Sequence, residues 1–168
     1  ALNSASSHKM SETLNTIFGE KAVNKYSEMH VASKKSYHKS VSPIFNVAHK
    51  QPVRWPINEL RPVYIRAKAS GKGFGSFYFN SDSNPLPKHF SLQFEANTDV
   101  PPPFEVYWQV VNTGEEAIRA GCLRGGFYKD GTSRRESTLY TGSHWIECFI
   151  VKDGKLVARS GAFLVNIK

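Results

Sequence analysis

Cysteine is scarce in this chain. Its 168 residues include two, Cys122 and Cys148, too few for a metal-binding quartet or a disulfide framework. Both lie among apolar residues and read as buried thiols. No run of 18 apolar residues exists, so no membrane-spanning helix is expected. No secretory leader opens the chain, and a reducing, cytoplasmic setting is the expectation. The first residue is Ala1 rather than Met, which points to a piece of something longer. Six histidines are scattered without paired or His-x-Glu spacing, so no metal site and no cofactor are expected. The Gly71-Lys72-Gly73-Phe74-Gly75 segment lacks the Lys-Ser/Thr that a phosphate loop needs, and reads as a hairpin loop.

Acidic residues are also in the minority. Fourteen Asp and Glu face 22 Lys and Arg, a formal charge of +8. That balance favours anionic partners: nucleic acid, nucleotides or an acidic protein surface. Apolar residues reach 40% with plentiful aromatics, enough to build a core.

Residues 1–50 differ from the rest. They are rich in Ser, Lys, His and Asn, and Gly19 is their one glycine. Met10, Leu14, Ile17 and Phe18 recur at helical spacing. A short amphipathic helix is predicted over 11–18, ended by Gly19. A weaker one is predicted over 20–37, then a linker over 40–51. From residue 51 to 168 the pattern changes to period two. Val63, Ile65 and Ala67 alternate with Tyr64, Arg66 and Lys68; Phe90, Leu92, Phe94 and Ala96 alternate with Ser91, Gln93 and Glu95. Pro and Gly punctuate the runs, and Lys152-Asp153-Gly154-Lys155 is a turn. Six to eight short strands of this kind predict a mainly β fold, an antiparallel immunoglobulin-like β-sandwich behind a short N-terminal helical extension. Its expected core includes Leu92, Phe94, Trp108, Val110, Ile146, Ile150, Val165 and Ile167.

The candidate site lies in one row. From Glu136, alternate positions are Glu136, Thr138, Tyr140, Gly142 and His144. In an extended chain they share a face at about 6.5–7 Å spacing. Arg124 precedes Gly125-Gly126, which remove side-chain bulk beside a planar, permanently charged fork suited to phosphate. The same arginine could instead pair with Glu136 or Glu147 across strands. Residues 123–128 and 135–141 would pair if Asp130-Gly131 made a hairpin loop. Asn112, in Asn112-Thr113-Gly114, ends a strand in a turn. Trp145, on the opposite parity to His144, is either core of the other face or an exposed stacking platform.

These blocks together resemble a known family. Asn112-Thr113-Gly114 with Glu116-Ala117, Leu123-Arg124-Gly125, the Glu136-x-Thr138-x-Tyr140-x-Gly142-x-His144-x-x-x-Cys148 row and the Phe163-x-Val165-x-Ile167 ending look like the adenylyl/guanylyl and SMODS C-terminal sensor domain. Trp55-Pro56 and the Phe94-x-Ala96 strand fit too. The resemblance covers about residues 50–168. It implies a non-enzymatic regulatory domain, fused behind a bacterial cGAS/DncV-like nucleotidyltransferase that makes cyclic oligonucleotide signals in CBASS antiphage defence. The catalytic signature of such enzymes, Gly-Ser followed by paired aspartates, is absent here. The implied partners are a nucleotide or nucleic-acid ligand and the parent catalytic domain. A ligand would be held by Asn112, Arg124, Glu136, Thr138, Tyr140, His144 and Trp145. The competing function is a protein-interaction or autoinhibitory module.

Overall fold

A computed structural model describes residues 47–168. The helices expected over 11–18 and 20–37 lie outside the described residues. Among the described residues the fold is mainly β, with ten strands, one short helix and two sheets.

The first sheet contains β1 (Ile57–Arg61), β5 (Glu105–Val111), β6 (Arg124–Asp130), β8 (Gly142–Lys152), β9 (Lys155–Arg159) and β10 (Phe163–Ile167). Its order is β1-β9-β8-β5-β6, with β10 pairing the first half of the long β8. The second sheet contains β2 (Val63–Gly71), β3 (Phe74–Phe79), β4 (Ser91–Thr98) and β7 (Ser133–Ser137), in the order β3-β2-β4-β7. All ladders are antiparallel except β1 with β9, which run parallel. The helix α1 (Glu115–Arg119) fills the connection from β5 to β6.

Period two explains the packing. In β8, His144, Ile146, Cys148 and Ile150 fall on one face and Trp145, Glu147, Phe149 and Val151 on the other. Both faces are buried, so the run is almost continuously inaccessible. The inner face joins Trp108, Val110, Phe94, Leu92, Val165 and Ile167 in one core shared by the two sheets. The expected core residues are all buried. Cys148 lies within it, and burial, helped by Glu147, pushes its thiol up to about 12, so it is inert.

The outer face of the first sheet is covered by residues 47–56. This segment lies across the strands as a strap. Val53 and Trp55 pack on Tyr107, Phe127, Phe149 and Leu156. Composition predicts a linker up to residue 51, but the backbone at its end is bonded to the sheet. Gln51 N–H donates to Gly125 O at 3.0 Å, and Gln109 Nε2 donates to Gln51 O at 2.9 Å.

Two turns show how far local signals reach. Asp153 and Gly154 both have positive φ, 51° and 71°, which suits the tight β8–β9 hairpin as expected. Asp130-Gly131 does not make a hairpin. β6 pairs β5 and β7 pairs β4, so the chain crosses from one sheet to the other here.

Candidate functional site

The crossing strands position the site. β6 and β7 are edge strands of different sheets. Arg124 and Tyr128 on β6, and Arg134 and Glu136 on β7, meet across the gap. Arg124 Nη1 and Nη2 donate to Glu136 Oε2 and Oε1 at 2.6 and 3.1 Å. Arg134 Nε donates to the same carboxylate at 2.8 Å, and its Nη1 to Asp130 at 3.0 Å. Both guanidinium groups lie over the Tyr128 ring, at 4.9 and 5.1 Å. A side-chain network therefore closes this edge where no backbone ladder does.

The bulge in β6 aims Arg124 inward. Gln109 pairs Phe127 and Val111 pairs Arg124, so β6 carries one extra residue. Arg124 and Gly125 take φ of 63° and 105°. The room left by Gly125 is not for a ligand: a Cβ there would lie 2.1 Å from His49 O of the strap. Burial alone would lower the Arg124 pKa, but its bonds to Glu136 and to the Tyr128 hydroxyl outweigh that and raise it.

Beneath the network is a cavity of about 200 Å³ between the sheets. Its floor is apolar, from Phe94, Val110, Ile146 and Val165. Asn112, Arg124, Glu136, Leu139, Tyr140 and His144 form its polar side and rim, and β8 borders it at Trp145. Most of the row expected from the sequence is thus gathered at one place, though not as a single strand. β7 ends at Ser137 and β8 begins at Gly142, in the other sheet. Residues 138–141 are a crossover.

Thr138 breaks the row and does not line the cavity. Its buried hydroxyl accepts from Phe90 N–H and donates to Pro87 O, both at 2.8 Å. At the other end of the crossover, Thr141 N–H donates to Glu116 Oε2 at 2.8 Å. Glu116 sits at the start of α1, an element too short for the sequence pattern to reveal. Lys88, and secondarily Thr141, hold its carboxyl below the usual range. His144 Nε2 meets Tyr140 O at 2.8 Å, and Thr113 N–H donates to its Nδ1 at 3.2 Å. That assigns the neutral tautomer with hydrogen on Nε2. Both nitrogens are engaged, so His144 holds the cavity wall rather than offering a free ligand atom. Burial lowers its pKa, against the Tyr140 carbonyl. Tyr140 itself is half-buried, and the neighbouring Cys122 thiol raises its pKa. Trp145 is buried, with Lys50 of the strap 5.6 Å from its ring centre, and is no exposed platform. Among the described residues, no three His, Cys, Asp or Glu side chains converge as a metal would require.

Residues 45–168 match the model of the adenylyl/guanylyl and SMODS C-terminal sensor domain. The chain belongs to that family. Among curated proteins, none matches it. The family is one of sensor domains of nucleotidyltransferases rather than of catalytic domains. Among the described residues of this sensor domain, no helix is long and apolar enough to cross a membrane.

The His144 geometry gives the sensor domain a defined acid response. A histidine whose folded pKa is lowered contributes stability that is complete above the unfolded value of about 6.5. That contribution is lost as pH falls through the folded value. Unfolding midpoints of the wild type minus those of His144→Gln should be flat above pH 7 and decline below about pH 6.5. A flat difference throughout would show that the imidazole is not held neutral.

Proposed function

We propose that this is the ligand-sensing regulatory domain of a bacterial antiphage cyclic-oligonucleotide synthase. In this reading, residues 51–168 are an immunoglobulin-like sensor body behind a helical extension and linker over 1–50, and the domain works in the cytoplasm beside its parent nucleotidyltransferase. The observation that carries the reading is the cavity with Arg124 at its rim. Ligand sites for drug-sized molecules occupy about 300–1,000 Å³. A cavity near 200 Å³ takes one ring system and leaves the rest of the molecule outside. A nucleotide fits that division: the base enters beside Tyr140 and the phosphate stays at the edge. The incoming phosphate competes with Glu136 for the Arg124 fork, while Arg134 retains Glu136.

The strap supplies a route out of the site. His49 Nε2 meets Asn112 O at 3.0 Å, and Gln51 bonds Gly125 beside Arg124. A shift of either rim position moves backbone bonded to the segment that precedes the sensor body. The rival reading, a protein-docking module, would be favoured by exposed Trp145, Tyr128 and Phe127; Trp145 is 1% exposed and the other two are half-buried.

Calorimetry with AMP, GMP, CMP and UMP tests the proposal. Arg124→Lys keeps the charge and loses the fork, so binding measured well below the melting midpoint should weaken about tenfold, while the midpoint itself falls as the Glu136 pair weakens. Native mass spectrometry of protein purified from cells should reveal a co-purified nucleotide. Unaltered affinity in the variant, or no ligand by either method, overturns the reading. The 168-residue chain should make no cyclic nucleotide from nucleoside triphosphates.

A further inference from the structure

We infer that the outer face of the four-stranded sheet binds single-stranded nucleic acid, at a surface separate from the cavity. The register sets out its side chains. One row across the sheet is Tyr78, Lys68, Gln93 and Arg135, on β3, β2, β4 and β7. The row beside it carries Arg66, Glu95 and Ser133. Tyr64 lies further along β2 on the same face.

Three features of this face point to the occupant. The first is charge. Elsewhere in the described residues Arg124, Arg134, Arg159, Lys88 and Lys129 each pair with a carboxylate. Lys68 and Arg135 pair with none, and Arg66 lies over the Tyr78 ring at 4.0 Å. Glu95 is the one acid here, and Gln93 Nε2 donates to it at 3.2 Å. The second is a depression of about 210 Å³ lined by Lys68, Ser70, Ser76, Ser91, Gln93 and Arg135. Two cations, three hydroxyls and an amide, with no carboxylate, are the donor set a phosphate requires. The third is the tyrosines. Tyr64 is 69% and Tyr78 56% exposed. Exposed rings on a sheet stack unpaired bases and cannot reach those inside a duplex.

An acidic protein surface would use the cations but not this composition. The face carries no aliphatic side chain, whereas the centre of a protein interface is apolar. A free mononucleotide would occupy the depression alone. The cations are spread over β2 and β7, about 10 Å apart at two strand spacings, which suits a chain of phosphates.

The test is fluorescence anisotropy of the whole chain with labelled 12-nucleotide single strands, oligo-U and oligo-dT, and a 12-base-pair duplex. Single strands should bind, and the logarithm of affinity should fall with the logarithm of salt with a slope of about −2, for three phosphate contacts. The triple variant Arg66→Ala, Lys68→Ala, Arg135→Ala should abolish that slope. Tyr64→Ala with Tyr78→Ala should weaken binding about tenfold or more. Lys155→Ala, a cation at the β8–β9 turn, is the control and should bind as the wild type does. These positions are exposed or half-exposed, so the variants should melt as the wild type does. No binding of either strand, equal binding of the duplex, or equal losses in Lys155→Ala and the triple variant would each overturn the inference. Preference between the two single strands would decide which nucleic acid the face reads.

Discussion

Trp108→Ala lowers the unfolding free energy by about 3–5 kcal/mol. The indole is fully buried at the centre of the shared core, between β4 and β8 side chains. Its removal deletes the largest single apolar surface and leaves a void that neighbouring strands cannot fill without breaking ladders. Nε1 also donates to Gly131 O at 2.9 Å, in the crossing from β6 to β7. Trp108→Phe keeps most of the packing and loses that bond, so it should cost about 1–2 kcal/mol. The urea midpoint should move by the corresponding amounts with the slope unchanged. A near-neutral alanine variant would contradict the burial.

Gly125→Ala should be nearly as damaging, by a different route. The residue holds φ of 105°, where a side chain strains the backbone by about 1–3 kcal/mol. The added methyl would also overlap the His49 carbonyl at 2.1 Å. Backbone on backbone cannot give way as a flexible side chain can, so the strap must lift. Loss of stability should therefore exceed about 2 kcal/mol. Trypsin should cut faster at Lys50 and Arg54 in the native variant, and Trp55 emission should shift to the red. Unchanged proteolysis would show that the strap does not depend on this approach.

The core and the strand periods are legible in the sequence because they are local. Alternation in 90–96 and 106–110 shows which residues face inward, whatever the partner strand is. Asp153-Gly154 shows its hairpin by the same token, because both residues accept positive φ. Pairing over distance is not legible in this way. Asp130-Gly131 reads as a hairpin loop from its chemistry, yet β6 and β7 join different sheets because β5 and β4 are their better partners. The pairing of Arg124 with Glu136 is nonetheless one of the two expected outcomes, since edge strands that face each other put the same side chains in reach. The row from Glu136 to His144 fails at Thr138, whose hydroxyl completes the hydrogen bonds of Phe90 and Pro87 and turns the chain out of the strand. The strap is invisible for another reason: Val53 and Trp55 dock on side chains from distant strands, and with the bonds of Gln51 to Gly125 and Gln109 they leave no local period to read.

The parallel pairing of β1 with β9 sets a clock on synthesis. Ile57 meets Leu156, and Leu156 N–H donates to Pro56 O at 2.9 Å. β1 must wait for a partner that lies about 100 residues further along the chain. At about 5–20 residues per second that wait is on the order of 5–20 seconds. Until then the strap has no completed sheet on which to lie. A nascent or truncated chain lacking β9 therefore leaves β1 without its ladder and Val53 and Trp55 without Leu156 beneath them.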